Sequence, residues 1–305
     1  MATQNSTIVR AYRSASAAAV RGAFQLLDRA APALGAWWAD RIWFTIPRTA
    51  AARPGVPDGG AAFEVAVDGH EVRGWRWGEG DSDPVYLVHG WGGSCGQLGA
   101  FVAPLVRAGF SVVGFDGPSH GASDPGPSGP RSGTILEAAD ALRAVAARHG
   151  RPYGVVAHSA GATAAAVALR DGLPATRAVF VAPMADPRPY AYMFAARFGF
   201  GDRTRTRLEA RIERRVGVPM AYLDVPAMAG QAAVPPLLVV HDQGDRETSW
   251  SGGRDIAAAW PGARLLTTTR LGHRRILRDP AVVAQVVGFL ADAPSRQREA
   301  GEVAS

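Results

Sequence analysis

The spacing of apolar positions changes character twice along this 305-residue chain. From Tyr12 to Ala31, apolar side chains recur at helical spacing at Val20, Phe24, Leu27 and Ala31. Pro32 interrupts, and Leu34, Trp37, Trp38, Ile42, Trp43 and Phe44 form a second apolar stretch that Pro47 stops. This predicts a loose start over about residues 1–10 and then a helical pair packed on the rest of the protein; Asp28 and Asp40, and the lack of lysine, argue against a membrane-surface helix. After a Pro/Gly linker at 50–60 the period drops to two. Phe63–Val67 and Val72–Trp77 alternate on either side of Asp68-Gly69, a β-hairpin signature. Beyond the hairpin, short apolar runs alternate with helical stretches. Strands are expected at 85–88, 111–115, 153–157, 178–181, 237–241 and 264–268, and helices near 97–108, 132–149, 160–171, 252–260 and 280–292. Such alternation builds an α/β fold, a mostly parallel sheet with helices on both faces and its chemistry at the carboxyl ends of the strands.

Between 181 and 237 the rhythm breaks. Connections in such folds usually take about 4–6 residues, and this segment carries two helical patterns instead. The first is aromatic, with Tyr190, Tyr192, Met193, Phe194, Phe198 and Phe200; the second sets Leu208, Ile212 and Val216 on one side among arginines. An insertion here would lie over the strand ends as a lid, which makes Tyr190 and Phe194 candidates for an apolar substrate cleft. The expected plan is an N-terminal helical extension (1–50), a core in two parts (61–183 and 235–292), a helical lid (184–234) and a disordered tail (293–305).

Composition narrows the classes. A hydrophobic content of 47% supports one large core. The single cysteine, Cys95, excludes an internal disulfide framework and fits a reducing, cytoplasmic setting. No apolar run reaches the length of a membrane span, and the start lacks a secretory pattern. The net charge of +6 does not mark a nucleic-acid surface: all 33 basic residues are arginine, spread along the chain. No metal or organic cofactor is implied, and the expected partner is a small-molecule acyl substrate.

The candidate chemistry sits at strand ends. Ser159 follows the run Val155-Val156-Ala157-His158 and precedes Ala160-Gly161 and an alanine-rich helix. A serine held on a sharp strand-to-helix turn needs small neighbours, as in the G-x-S-x-G elbow; Ala157 here replaces the first glycine. The strand at 85–88 ends in His89-Gly90-Trp91-Gly92-Gly93, where the backbone N–H of Trp91, with that of Ala160, could hold a developing oxyanion. Trp91 is also a candidate substrate contact. Asp116-Gly117-Pro118-Ser119-His120-Gly121 reads as a fixed structural loop. A serine nucleophile needs a base and an orienting carboxylate. Of seven histidines, His273, in a loop beyond the last strand, is the one free to reach Ser159, while His241 is expected to support the loop that follows it. For the acid, Asp245 ranks ahead of Asp242 and Asp186.

Taken together these segments resemble the α/β-hydrolase family in its serine-nucleophile, esterase-like branch. The resemblance rests on His89-Gly90-Trp91-Gly92-Gly93, Asp116-x-Pro118-x-His120-Gly121-x-Ser123, Ala157-His158-Ser159-Ala160-Gly161, His241-Asp242-x-x-Asp245 and Leu271-Gly272-His273, and covers about residues 61–292. Ser119 and Asp242 depart from it, each standing where glycine is common. It implies hydrolysis of a carboxylic ester or related acyl compound through a covalent acyl-enzyme, with Ser159, His273 and Asp245 as nucleophile, base and acid. Transfer to another acceptor, cleavage of a thioester, amide or carbon–carbon bond, perhydrolysis, or ligand binding without turnover would use the same residues.

Overall fold

The computed structural model describes residues 2–47, 55–78 and 84–292, with side chains from residue 16 onward. The expected disordered tail at 293–305 and residues 50–54 of the linker lie outside the described residues. The helices are α1 (Ala2–Ala30), α2 (Pro32–Trp43), α3 (Val102–Arg107), α4 (Ile135–His149), α5 (Ala160–Arg170), α6 (Arg188–Phe198), α7 (Asp202–Val216), α8 (Val225–Met228), α9 (Trp250–Ala259), α10 (Gly272–Arg275) and α11 (Pro280–Ala291). The strands are β1 (Ala61–Val67), β2 (His70–Trp77), β3 (Val85–Val88), β4 (Val112–Phe115), β5 (Gly154–His158), β6 (Arg177–Val181), β7 (Leu237–Asp242) and β8 (Arg264–Thr268). Helix α1 starts well ahead of Tyr12, because no glycine or proline interrupts residues 2–21.

The chain divides into two compact units, Met1–Thr45 with Asp186–Tyr222, and Ile46–Ala185 with Leu223–Ser305. The second unit holds the eight-stranded sheet in the order β1-β2-β4-β3-β5-β6-β7-β8. The β1–β2 hairpin and the β2–β4 pair are antiparallel, and every other neighbour is parallel. Strand β3 is Val-Tyr-Leu-Val and buried throughout, the pattern of a central parallel strand covered on both faces. Residues of α4, α5, α8 and α9 build the core on one face; those of α3 and α11 build it on the other. Helix α5 is buried along its whole length from Gly161 to Leu169, which its alanines allow by letting neighbours approach closely. Thr134 caps α4 by accepting from the Glu137 N–H at 3.1 Å, a T-x-x-E arrangement. Chain order reverses between β3 and β5, the place where sheets of this kind open a crevice at their carboxyl edge.

The first unit has its own core of Phe24, Ala36, Ala39, Phe44, Ala191, Ala195, Phe200, Leu208, Ile212 and Met220. Sequence patterning separates the N-terminal pair from the insertion; the structure gives them one core, with Phe24 stacked on Trp38 at 4.4 Å and edge-on to Phe198 at 5.6 Å. The insertion is also shorter than 184–234. Val225, Met228 and Ala229 are buried in the core of the sheet unit, and the Val225 N–H donates to the Ala185 carbonyl at 2.8 Å. Their apolar side chains have α5 and α9 to cover, so the segment after Tyr222 joins the sheet unit.

Candidate active site

Ser159 sits between β5 and α5 at φ 55° and ψ −124°, a left-handed conformation that non-glycine residues rarely take. Three backbone bonds hold it there: its N–H donates to the Val181 carbonyl at 3.1 Å, and its carbonyl accepts from the Ala162 N–H at 3.0 Å and the Met184 N–H at 3.2 Å. The turn is close on the other side too. A Cβ on Gly161 would lie 2.3 Å from the His89 carbonyl oxygen, and one on Gly90 would lie 2.9 Å from Cβ of Ser159. Both glycines are therefore steric requirements of the approach between the β3 loop and the elbow. The N–H of Ala160, at the first position of α5, has no carbonyl within the helix to meet. Beside it and Trp91 lies a small, mostly apolar cavity of about 20 Å³, walled by Gly161, Pro118, Ile135 and Ala138.

The β3 loop is fixed by two buried histidines. Gly117 N–H donates to Nε2 of His89 at 2.9 Å, and Gly92 N–H to Nε2 of His120 at 3.1 Å, while each Nδ1 faces a carbonyl. Both rings thus accept at Nε2 and carry their proton on Nδ1. Asp116 accepts from the Cys95 N–H at 2.6 Å and the Ala122 N–H at 2.7 Å, tying this loop to the next. Ser119 stands at φ 63°, which explains why glycine suits that position; its hydroxyl compensates by accepting from Gly126 N–H and donating to the Gly129 carbonyl.

At the far edge, Nδ1 of His273 lies 2.8 Å from Oδ2 of Asp245, both side chains nearly or fully buried. A carboxylate on Nδ1 fixes the proton there and leaves Nε2 with its lone pair. Asp242 does other work. Its Oδ2 accepts from the Leu271 N–H and the Thr268 hydroxyl, both at 2.9 Å, and its Oδ1 from the Gly244 N–H at 2.8 Å. It pins the loop that presents His273, two residues downstream of Leu271. Asp186 bonds Arg188 and belongs to the other unit. Burial pushes the Asp245 carboxyl up, but donors from His241, His273 and the Thr248 N–H outweigh it and hold it well below the usual carboxylate range. Asp242 is lowered in the same way, burial being outweighed by the bonds from Leu271, Thr268 and Gly244.

Two participants carry no sequence signal of their own. Nε2 of His158 donates to the His273 carbonyl at 3.0 Å, joining the elbow to the base loop across 115 residues. Thr248 Oγ1 lies 2.9 Å from Asp245 Oδ2. Cys95 is buried and its thiol is pushed up by burial and by Asp116, which leaves it protonated and unreactive. Tyr190 and Phe194 lie on α6 of the helical unit, where Phe194 packs edge-on against Trp43 at 5.3 Å. Among the described residues, no group of three or more His, Cys, Asp and Glu is placed to hold a metal ion. No helix among them is long and apolar enough to cross a membrane.

A strained serine elbow after β5 is tied through His158 to the loop carrying His273, which pairs with Asp245 after β7. In comparison with known proteins, residues 82–218 match the family described as serine aminopeptidase, S33, and residues 216–300 match that described as TAP-like protein. The chain has the α/β-hydrolase fold and is similar in sequence to serine hydrolases. A serine hydrolase-like protein of Danio rerio is 32% identical over 103 residues, covering 34% of this chain but only 31% of that protein. Among solved structures, an enol-lactonase from Burkholderia xenovorans LB400 is 21% identical, covering 75% of this chain and all of that one at a TM-score of 0.57. An esterase from Rhodococcus sp. ECU1013 is 20% identical, with coverage of 76% and 98% and a TM-score of 0.54. At such identities the likeness is one of fold.

Proposed function

We propose that the protein hydrolyses a carboxylic ester or a related acyl compound through a Ser159–His273–Asp245 triad. The observation that carries this reading is the buried 2.8 Å contact between His273 Nδ1 and Asp245 Oδ2, at the strand ends beside the strained Ser159 turn. In this mechanism Nε2 of His273 takes the Ser159 proton as Oγ attacks the carbonyl carbon. Asp245 holds the reactive tautomer and stabilises the imidazolium without itself taking the proton. The N–H groups of Trp91 and Ala160 receive the oxyanion, each worth about 3 kcal/mol of barrier. His273 then protonates the leaving group, and water, activated by the same imidazole, releases the acid and frees Ser159.

The small cavity next to Trp91 and Ala160 offers room for a short acyl group. The insertion leaves the sheet unit just after β6 and returns before β7. Its service as a lid, with Tyr190 and Phe194 contacting the substrate, forms part of the same proposal. Ser159→Ala is expected to abolish both the hydrolysis of a chromogenic acetate ester and labelling by an active-serine phosphonate. Full activity in that variant overturns the reading. A series from acetate to octanoate on one leaving group tests the cavity: rates should fall with chain length.

A further inference from the structure

Asp245 is approached by more than His273. Thr248 Oγ1 lies 2.9 Å from Asp245 Oδ2, 3.1 Å from His273 Nδ1 and 3.2 Å from the Ala182 carbonyl oxygen. Nε2 of His241 lies 3.3 Å from that hydroxyl, 3.3 Å from the Thr248 carbonyl and 3.4 Å from Asp245 Oδ2. The side chains in this cluster are buried, and it draws on the ends of β6 and β7, the loop after β7, and α10.

The proton count is restrictive. A threonine hydroxyl has one proton to give. Nδ1 of His273 is itself a donor toward the carboxylate, so it cannot accept. Of the two acceptors left, Asp245 Oδ2 is both nearer and charged, and charge-assisted bonds are the stronger kind. The three atoms around Nε2 of His241 are all oxygens, so Nε2 carries that ring's proton. Its Nδ1 is buried with no partner among the described residues and abuts Gly253, where an added Cβ would lie 2.4 Å away. Oδ2 thus gathers three donors, while Oδ1 takes the N–H groups of Glu247 at 2.8 Å and Thr248 at 3.0 Å. The Thr248 backbone bond alone would close this turn, so the hydroxyl is not needed for its shape. Ala182 holds φ 46°, an uncommon conformation for a residue with a Cβ, and its carbonyl faces the same hydroxyl.

We infer that Thr248, backed by His241, is a positioning residue for the Asp245–His273 pair: its hydroxyl fixes Oδ2 and draws off part of the carboxylate's charge. This rests on the triad reading above. The other groups facing the pair are accounted for. His158, from the end of β5, has its ring centroid 4.6 Å from that of His273 and donates to the His273 carbonyl. Asp242 is occupied by Leu271, Thr268 and Gly244. Arg274, next to His273, pairs with Glu247 at 3.0 Å.

The test compares Thr248→Val, which keeps the shape and loses the hydroxyl, with Thr248→Ser, which keeps the hydroxyl, in the full chain on a chromogenic acetate ester. Thr248→Val is expected to lower the plateau kcat about tenfold, the effect of one charge-assisted bond, with KM within about twofold. The acid limb of its kcat/KM profile should move to higher pH, because the undiluted carboxylate favours the imidazolium. Thr248→Ser should restore both. If Thr248→Val does not fold, Thr248→Cys against Thr248→Ser makes the same comparison with a weak donor. An unmoved limb, an unchanged plateau, or a serine variant as slow as the valine one overturns the inference. Failure of the wild type to take the phosphonate label would instead remove the triad reading itself.

Discussion

His158 offers a direct measurement of how the elbow is buried. Its ring is 1% exposed, Nε2 donates to the His273 carbonyl, and Nδ1 has no partner among the described residues. Burial, reinforced by repulsion from His273, pushes its pKa down from the ordinary 6.5 to about 3. A histidine kept neutral by the fold but able to ionise in the unfolded chain couples stability to pH. Because the folded value is the lower one, its contribution is complete above about pH 6.5 and is lost as pH falls toward about 3. At pH 5 the loss spans about 1.5 pH units at about 1.36 kcal/mol each, or about 2 kcal/mol. For a unit of this size that lowers Tm by about 4–8 °C. His158→Gln retains an amide N–H for the His273 carbonyl and removes the titration. Melting curves of both proteins at pH 7 and pH 5 should therefore diverge, with the wild type losing those extra degrees. Parallel Tm values across that interval would refute a buried, neutral imidazole behind Ser159.

Three further substitutions follow from the site. Asp245→Asn should lower kcat/KM by about 10⁴-fold through loss of the correct tautomer of His273. Asp242→Asn turns an amide toward the Gly244 N–H and should lower stability by about 1–3 kcal/mol with a much smaller kinetic effect; steady-state rates and Tm on both variants would expose a reversed order. Gly161→Ala forces a methyl to within 2.3 Å of a backbone oxygen that cannot rotate away. It should cost at least the roughly 1–3 kcal/mol of an overpacked core and displace the elbow, which denaturant unfolding and phosphonate labelling would register as loss of both.

The inner strands β3 to β7 were legible because each is a short, mostly apolar run, which a sheet covered on both faces rewards whatever surrounds it, and β1 and β2 because they alternate about a tight turn. The elbow was legible for a related reason: close backbone approach demands small side chains, and these leave a visible gap in the pattern. His273 was singled out as the candidate base by elimination on position. The ranking of Asp245 ahead of Asp242 had no contact in the sequence to rest on. The two stand three residues apart on one turn, and which carboxylate meets the imidazole depends on a loop nearly thirty residues downstream that Asp242 itself anchors. Thr248 was invisible for the same reason, since nothing in a lone threonine marks that its hydroxyl lies 3.1 Å from a base in another loop.

The shared core of the helical unit was also beyond reach of periodicity, and it has a physical rationale. The segment Asp186–Tyr222 alone falls below the roughly 40 residues under which a chain seldom buries enough surface to fold without staples. Its aromatic residues need a counterpart, and α1 and α2 supply one: Phe24 meets Phe198 at 5.6 Å and Phe200 at 5.1 Å. Polar bonds reinforce the pairing, with Asp28 accepting from the Thr204 N–H at 2.9 Å and Arg21 donating to the Ala196 carbonyl at 2.7 Å. The N-terminal pair is thus part of the insertion's own folding unit. Phe24 is fully buried at its centre, so Phe24→Ala should remove about 3–5 kcal/mol. A unit this small has little stability beyond that, and it should open while the sheet unit stays folded. Limited trypsin digestion would then cut within α7, which carries six arginines between Arg203 and Arg215, while Ser159 remains labelled by the phosphonate. Cleavage at the wild-type rate would show that the helices of the insertion hold together without the N-terminal pair.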